Sequence, residues 1–294
     1  MRKLLFLVTI VLLASCKNRA EQSHQPHSMK DSLMPQIAAA YENKDWETII
    51  LLSDNLTNCG ESYENLAICY AQALMRTGDI NKSIEVLQKE LNDENSTIEK
   101  HYLYNELGSA YSMICDYDKG IDAFRQALKL SPNYARPMVG LAMLYEDKGD
   151  LAPAIYYFTQ AGALFYEHKV TEELYAIGKE MMEIAPENIN SLQIMGKAYQ
   201  LRGEYQEEEL CLLRHMDILL DGKEYITDDS KKERFVGCMI ELAVAQYNQD
   251  KFDECLKSIQ WLKNNTNSLG IWEKDIQKLE KVCRAAKTNH ESKS

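Results

Sequence analysis

The residues of this 294-residue sequence with the greatest chemical potential are its eight cysteines, its six histidines and three consecutive glutamates at 207–209. None of them stands in the spacing of a metalloprotease, a phosphate-binding loop or a serine hydrolase. Each of the scattered histidines His101, His168 and His215 is better explained as a surface or packing side chain than as a general base. We therefore predict no catalytic residue, no cofactor and no metal site, and we interpret the glutamate run as a solvated helix face.

Seven cysteines follow Cys16, and no two of them have the CxxC spacing of a redox or zinc site. Most of them take the place of small or apolar residues on predicted helix stripes, so we expect buried free thiols. A disulfide between Cys59 and Cys69 is an alternative, because disulfides persist outside the cytoplasm. The seven are Cys59, Cys69, Cys115, Cys211, Cys238, Cys255 and Cys283.

The N-terminal segment predicts a cleaved targeting signal rather than part of the fold. Arg2 and Lys3 precede an apolar run at 4–13, which is too short to span a bilayer as a mature helix. The Leu-Ala-Ser-Cys sequence that ends at Cys16 resembles the lipobox of bacterial lipoproteins. That resemblance implies removal of a signal peptide at 1–15, with a diacylglycerol thioether and an acylated amine on the cysteine. The alternative is an ordinary secretory signal in which the cysteine is incidental.

Residues 16–29 are polar and predict a flexible tether between the acylated cysteine and the folded part. Several acyl chains on one residue anchor a soluble domain stably, so we expect a lipid-anchored protein of the bacterial cell envelope. Lys17 stands where an inner-membrane retention signal would have Asp, and this resemblance favours the outer membrane. The segment matches a surface-export signal only in part, so the membrane leaflet stays open. His24 and His27 are too few and too flexible for a metal site.

The formal net charge of −12 argues against DNA or RNA as a partner, because an acidic chain repels nucleic-acid phosphate. Only six prolines are present, and continuous apolar segments with helical periodicity dominate the sequence. The fold class that these observations predict is all-α.

Two copies of one 34-residue pattern occupy residues 101–134 and 135–168. Large side chains alternate with small ones at fixed offsets in both copies, which allows two helix axes to approach closely. Gly108 and Gly120 are expected to face the large rings of Tyr104, Tyr111 and Phe124. At matching offsets the first copy has Tyr104, Leu107, Gly108, Tyr111, Gly120, Phe124 and Ala127, and the second has Met138, Leu141, Ala142, Tyr145, Ala154, Phe158 and Ala161.

This pattern resembles the tetratricopeptide repeat (TPR) family closely. The resemblance implies a right-handed superhelical solenoid of antiparallel helix pairs, closed by a C-terminal capping helix. An aspartate before each second helix is a good N-cap and marks further copies, at Asp45, Asp79, Asp116 and Asp150. The helical array is predicted over 30–286, with units at 30–63, 64–97, 101–134, 135–168, 189–222 and 236–269, a cap at 272–286 and a frayed polar tail at 287–294.

Residues 169–188 depart from the repeat and predict one extra helix ended by Pro186. In an alternative register, Phe158, Gly162 and Phe165 form the first-helix stripe of a shifted unit that also ends at this proline. The two registers pair the helices differently, and the sequence leaves the choice between them open.

In TPR proteins the first helices line a concave groove, and the resemblance places its exposed positions near residues 2, 5, 9 and 12 of each unit. Here this surface mixes amide, methionine and aliphatic side chains, which suit an extended peptide. The basic clamp with which some TPRs hold a C-terminal carboxylate is not matched, since Asn105 and Ser109 take those places. The alternative is that these residues are only solvated and that another face binds. The candidate partner-binding residues are Asn65, Ile68, Gln72, Tyr102, Asn105, Ser109, Arg136, Val139, Met143, Gln193 and Lys197.

We predict a lipid-anchored envelope protein that presents a TPR scaffold to a partner protein or peptide. One alternative is a protein that binds a glycan or another small ligand in the groove. A second alternative is an enzymatic or regulatory subunit that uses the insertion at 223–235, a polar stretch that we otherwise predict to be a solvated spacer. A repeat signature indicates the fold but not the ligand, because the ligand-binding positions lie outside it.

Overall fold

The computed structural model of the protein describes residues 29–58, 66–221, 229–265 and 273–292, with side chains from residue 33 onward. Over these residues the chain forms fourteen α-helices and no strand, which confirms the all-α prediction. None of the helices in these ranges combines the length and the hydrophobicity that a membrane span requires. The helices are α1 (Met29–Glu42), α2 (Trp46–Asn58), α3 (Leu66–Thr77), α4 (Ile80–Asn92), α5 (Lys100–Met113), α6 (Tyr117–Leu130), α7 (Ala135–Asp147), α8 (Leu151–Glu167), α9 (Thr171–Ile184), α10 (Ile189–Arg202), α11 (Tyr205–Leu220), α12 (Asp229–Asn248), α13 (Phe252–Asn265) and α14 (Glu273–Glu291).

The chain divides into two compact units, Met1–Ala161 and Gly162–Ser294. In the first unit each helix from α1 to α6 packs on the helix that follows it. In addition, α3 contacts α5 and α5 contacts α7, so the first helices of successive pairs form a layer of their own. In the second unit the same sequential packing runs from α9 to α14.

Aspartate caps begin three of the second helices, as the sequence predicts. Asp45 Oδ1 accepts a hydrogen bond from the backbone N–H of Thr48 at 3.1 Å. Asp79 and Asp116 accept the equivalent bonds at 3.4 Å each, at the starts of α4 and α6. Such caps satisfy backbone donors that the first helical turn leaves unpaired. Glu204, at the same place before α11, makes no side-chain cap bond.

One phenylalanine joins three helices of the first unit. Phe124 of α6 is only 2% exposed and lies against Gly108 of α5 and Gly140 of α7. A Cβ atom on Gly108 would come within 2.6 Å of the ring, so this approach requires glycine. The contact between Gly108 and Phe124 confirms the sequence prediction, whereas Gly120 faces Leu144 instead of an aromatic ring.

The contacts of α8 favour the alternative register that the sequence left open. Gly162 of α8 lies against Ile194 of α10, and the Tyr166 hydroxyl of α8 donates to Gln200 Oε1 of α10 at 2.5 Å. Helix α9 packs on α10 as well. The C-terminal part of α8 therefore takes the place of a first helix beside α10.

Two segments predicted to be irregular are helical. Helix α12 begins at Asp229, so 229–235 belong to a helix rather than to a spacer, although 229–234 are exposed to solvent as predicted; residues 222–228 lie outside the described residues. The reason is Phe235, which is 8% exposed and packs on the Trp261 ring with centroids 5.3 Å apart. Helix α14 continues through 287–291 of the predicted tail, where Lys287 pairs with Asp253 of α13 at 2.5 Å.

The cysteine predictions hold in part. Cys115 is exposed, at the end of α5 where the backbone turns with φ +60°, so the prediction of a buried thiol is wrong there. Cys69 and Cys211 are half-buried. Cys59 lies outside the described residues, and its disulfide with Cys69 stays a prediction. The buried thiols are Cys238, Cys255 and Cys283.

Candidate functional site

The structure separates the predicted partner-binding residues by their exposure. Ile68, Asn105 and Val139 are 2%, 4% and 8% exposed, so the prediction that they face solvent is wrong. All three occupy the fifth position of their units. Asn65 lies outside the described residues. The half-buried or exposed members are Gln72, Tyr102, Ser109, Arg136, Met143, Gln193 and Lys197.

A chain of polar side chains crosses the first helices of the first unit. The Tyr41 hydroxyl of α1 donates to Gln72 Oε1 of α3 at 2.6 Å. Gln72 also hydrogen-bonds the carboxyl of Glu106 on α5, which accepts from Asn105 Nδ2 at 3.1 Å. Burial raises the pKa of Glu106, and the hydrogen bonds and the charge of Arg136 on α7 oppose that rise. Hydrogen bonds thereby connect the first helices α1, α3 and α5, and the charge of Arg136 on α7 acts on the same buried carboxyl.

An aromatic cluster lies at the N-terminal ends of α5 and α7. The ring centroids of His101 and Tyr102 are 4.0 Å apart, and both rings meet Tyr134 edge-on at 5.4 Å and 5.6 Å. All three rings are half-buried, and the Tyr134 hydroxyl hydrogen-bonds the Arg136 side chain. We call the half-exposed surface of α5 and α7 the first-helix face; its members are His101, Tyr102, Ser109, Tyr134, Arg136 and Met143.

In the second unit, Gln193 and Lys197 line a cavity of about 240 Å³ between α10, α11 and α12. Glu208 and His215 of α11 and Glu241 of α12 form part of its wall. Lys197 Nζ lies over the Tyr166 ring, 4.9 Å from the ring centroid. The structure therefore brings two of the predicted residues together with three charged or titratable groups that the sequence analysis did not assign to a site.

Two side chains in the cavity wall are buried without full hydrogen bonding. Glu208 is 3% exposed; its Oε1 accepts from Gln200 Nε2 at 2.8 Å, and its Oε2 has no partner among the described residues. His215 is 5% exposed, with Nδ1 3.4 Å from Cys238 Sγ, and its Nε2 has no partner within the same ranges. Buried polar atoms are usually paired, so two orphan atoms in one cavity call for an explanation.

The electrostatics of the cavity follow from burial. Loss of solvent raises the pKa of Glu208 to about 7, and the nearby carboxyl of Glu241 adds to the rise. Burial raises the pKa of Glu241 as well, although Lys197 opposes that effect. Burial also lowers the pKa of His215, which keeps the imidazole neutral. The wall thus combines two carboxyls that resist ionisation with one neutral imidazole.

The prediction of a solvated glutamate face at 207–209 is wrong for two of the three residues. Glu208 is buried, and Glu209 is half-buried and pairs with Lys251 at 2.7 Å. The position of Glu208 within its repeat unit is a sequence feature that indicates burial. Glu208 and His215 occupy positions 20 and 27 of unit 189–222, where the units at 101–134 and 135–168 have only glycine or alanine. A large polar residue at a packing position should have predicted burial.

Within the described ranges, no three His, Cys, Asp or Glu side chains are arranged to hold a metal ion. The cavity residues that could ligate one, Glu208, His215, Cys238 and Glu241, do not form such a group.

Comparison with known proteins adds one match in sequence. A family model described as tetratricopeptide repeat matches residues 101–134, which confirms the predicted repeat for that unit. The comparison with curated proteins gives no match. The family match covers one helix pair of the array, α5 and α6.

Several solved structures are similar in fold. MamA is 20% identical, with a TM-score of 0.39 over 64% of this chain and 97% of its own. The TPR2AB-domain:pHSP90 complex of yeast Sti1 gives 17% identity and a TM-score of 0.37 over 87% and 98%. The APC/C hetero-tetramer Cut9-Hcn1 gives 11% identity and a TM-score of 0.37 over 88% and 50%. Similarities with TM-scores below 0.5 support no statement about the partners of this chain. The described residues form an all-α array of helices.

Proposed function

We propose that the protein is a scaffold that binds a partner protein or an extended peptide through the first-helix face. The observation that carries this proposal is the half-exposed cluster of His101, Tyr102 and Tyr134 beside Arg136. Aromatic residues and arginine are the side chains most enriched among those that dominate binding energy at protein interfaces. Met143, which is half-buried, adds an adaptable apolar contact on α7.

The side chains beneath this face support the proposal because they hold it in one arrangement. Arg136 is attracted by the buried Glu106, and Glu106 is hydrogen-bonded to Gln72 and Asn105. Gln72 is fixed in turn by Tyr41 at 2.6 Å. A surface whose side chains are already ordered loses less conformational entropy on binding, so more of the contact energy appears as affinity.

We expect site-specific photocrosslinking in cells to detect a partner at the first-helix face. A photoreactive residue placed at Met143 or Ser109 should yield a discrete adduct. The matched control is the same residue at Leu130 or Gln126, which are exposed on the second helix α6. Adducts of equal yield from both faces would argue against the first-helix face as the interface.

Neutralising the arginine is expected to remove that adduct. Arg136→Gln should weaken partner binding by at least about tenfold, because an interface arginine commonly contributes 2 kcal/mol or more. Lys129→Gln removes the same charge from an exposed site on α6 and should leave the adduct unchanged. Melting curves of the two variants control for folding. An undiminished adduct in Arg136→Gln would contradict the proposed face.

We also propose that the scaffold is held at the bacterial cell envelope by acylation of Cys16, in the outer membrane. This proposal rests on the lipobox resemblance and on the polar tether at 16–29, of which only Met29 lies within the described residues. Cys16→Ala should move the protein from the membrane fraction to the soluble fraction, because one or more acyl chains would be lost. Ser15→Ala is the matched control and should remain with the membranes. Membrane association of both variants would refute the lipid anchor.

A further inference from the structure

We propose that the cavity between α10, α11 and α12 binds a protonated primary amine, supplied either by a free small molecule or by a lysine side chain of a bound protein. This site lies in the second unit and goes beyond the proposed scaffold function, which rests on the first-helix face of the first unit. The proposal is carried by the shape of the cavity, by two orphan polar atoms in its wall and by the sign of its charges.

The cavity has room for a ligand because glycines form part of its wall. At about 240 Å³ it exceeds the roughly 150 Å³ of an engineered cavity that admits benzene. Gly237 of α12 lines it, and a Cβ atom added there would meet nothing within 4 Å. Gly196 of α10 lines it too, and its added Cβ would only touch Cys211 at 3.5 Å. A space of this size fits a single side chain or a small molecule.

The unpaired atoms in the wall are acceptors or can become acceptors. Glu208 Oε2 has no partner in the described part of the chain, and Oε1 is held at 2.8 Å by Gln200. His215 Nε2 is also unpaired among those residues. When the Nδ1–H of this neutral imidazole donates to Cys238 Sγ, 3.4 Å away, Nε2 is left as an acceptor. Glu241 brings a second carboxyl to the same wall.

These groups are acceptors of the kind that an ammonium requires. An ammonium is a pure N–H donor, and the Glu208 carboxyl can accept from it through its unpaired oxygen, while Glu241 and the unpaired His215 Nε2 lie in the same cavity wall. Neither carboxyl forms an ion pair within 4.0 Å in the described part of the chain, although each is better ionised beside a cation. An ammonium bound between them would supply the charge that they lack.

The two cationic side chains at the cavity meet that need only in part, because Lys197 opposes the rise in the pKa of Glu241 but forms no ion pair with it. Lys197 directs its Nζ onto the Tyr166 ring, 4.9 Å from the centroid, and Arg234 is exposed. Both leave the inner carboxyls available. Because Lys197 and Arg234 are positively charged, we expect that a ligand with a carboxylate next to its amine would not be repelled from the cavity.

The test is isothermal titration calorimetry of the full chain at pH 8 with four probes. Cadaverine represents a free amine, and Nα-acetyl-lysine amide represents a protein lysine. Nα,Nε-diacetyl-lysine amide has the same shape without the charge, and N-acetylglycine carries only a carboxylate. We expect binding of one or both amines and none of the two controls. Binding of cadaverine alone identifies a free amine, and binding of the lysine amide identifies a side chain.

Three variants connect binding to the cavity. Glu208→Gln should weaken the amine by at least about tenfold, because one charge-assisted hydrogen bond is lost. Glu207→Gln makes the same change at an exposed position of α11 and should alter the affinity by less than about twofold. Gly237→Leu fills the cavity without changing its charge and should abolish binding.

The outcomes are distinguishable from those for the scaffold. No heat from either amine, equal affinity in Glu208→Gln and wild type, or preference for N-acetylglycine or the diacetylated probe would each overturn the amine site. The photocrosslinks at the first-helix face are independent of these results, because they report on residues of the first unit.

Discussion

Replacing Phe124 by alanine is expected to lower the free energy of unfolding of the first unit by about 3–5 kcal/mol. The ring is 2% exposed and fills the space between α5, α6 and α7, where Gly108 and Gly140 bring both neighbouring helices onto it. Glycine has no side chain that could move into the vacated volume. The cavity should therefore persist, which places the cost in the upper part of the range for such substitutions.

Native-state hydrogen exchange of the amides in α5, α6 and α7 is the suitable measurement, because it reports the stability of these helices even if the two units unfold separately. Leu130→Ala is the matched control, since it truncates an apolar side chain on the same helix that is 54% exposed. The control should change the stability by less than about 0.5 kcal/mol. A loss below about 1 kcal/mol for Phe124→Ala would show that the three helices are not joined as described.

Features set by neighbouring residues in one unit could be predicted from the sequence. The caps at Asp45, Asp79 and Asp116 need only the residues that follow them, and the structure has all three. The contact of Gly108 with Phe124 lies within one helix pair, so it could also be predicted from the sequence. The second contact of the ring, with Gly140, crosses to the next unit and depends on how two pairs stack.

Exposure on the first helices could not be predicted in the same way. Ile68, Asn105 and Val139 share position 5, and all three are buried. How far each helix is rotated toward its neighbour follows from packing along the whole unit. Gln193 has the same position in its own unit and is exposed, which shows that the position alone does not decide burial.

The cavity illustrates a different limit. Glu208 and His215 stand at positions 20 and 27 of their unit, so their departure from glycine or alanine is visible in the sequence. The sequence does not show how these two large side chains fit between the helices, because the room beside them depends on Gly196 of α10 and Gly237 of α12. Such compensation between residues of different units appears only when the helices are placed together.

Replacing Glu208 by glutamine is expected to stabilise the second unit above pH 7 by on the order of 3 kcal/mol. Burial, aided by Glu241, raises the pKa of Glu208 from 4.5 to about 7 in the folded protein. Each unit of pKa difference corresponds to about 1.4 kcal/mol. Between these two pH values the folded state keeps a proton that the unfolded state has lost, so the stability of the wild type falls as the pH rises and then levels off.

The glutamine side chain has no proton to lose in this pH range, so the stability of the variant should not fall as the pH rises. The glutamine amide would be a buried neutral group without a full set of hydrogen bonds, in place of a buried carboxylate. Burying an unpaired neutral group destabilises the folded protein less than burying an unpaired charge. The variant and the wild type should be similar near pH 4.5 and diverge until about pH 7. His215, Glu241 and Lys197 face the same cavity and are present in both proteins, so the difference between the two curves reports mainly Glu208.

Urea unfolding between pH 4.5 and 8.5, followed by hydrogen exchange in α10, α11 and α12, measures this difference. Glu207→Gln controls for the change in net charge at an exposed site and should follow the wild type within about 0.5 kcal/mol. If stability depends on pH in the same way in Glu208→Gln and the wild type, or if the variant is less stable at pH 8, then the buried carboxylate of Glu208 does not destabilise the folded protein. A carboxyl that weakens the empty fold is expected where a ligand supplies the missing charge. Adding an amine ligand should therefore narrow the gap, because the wild type gains more stability from binding it than the variant does.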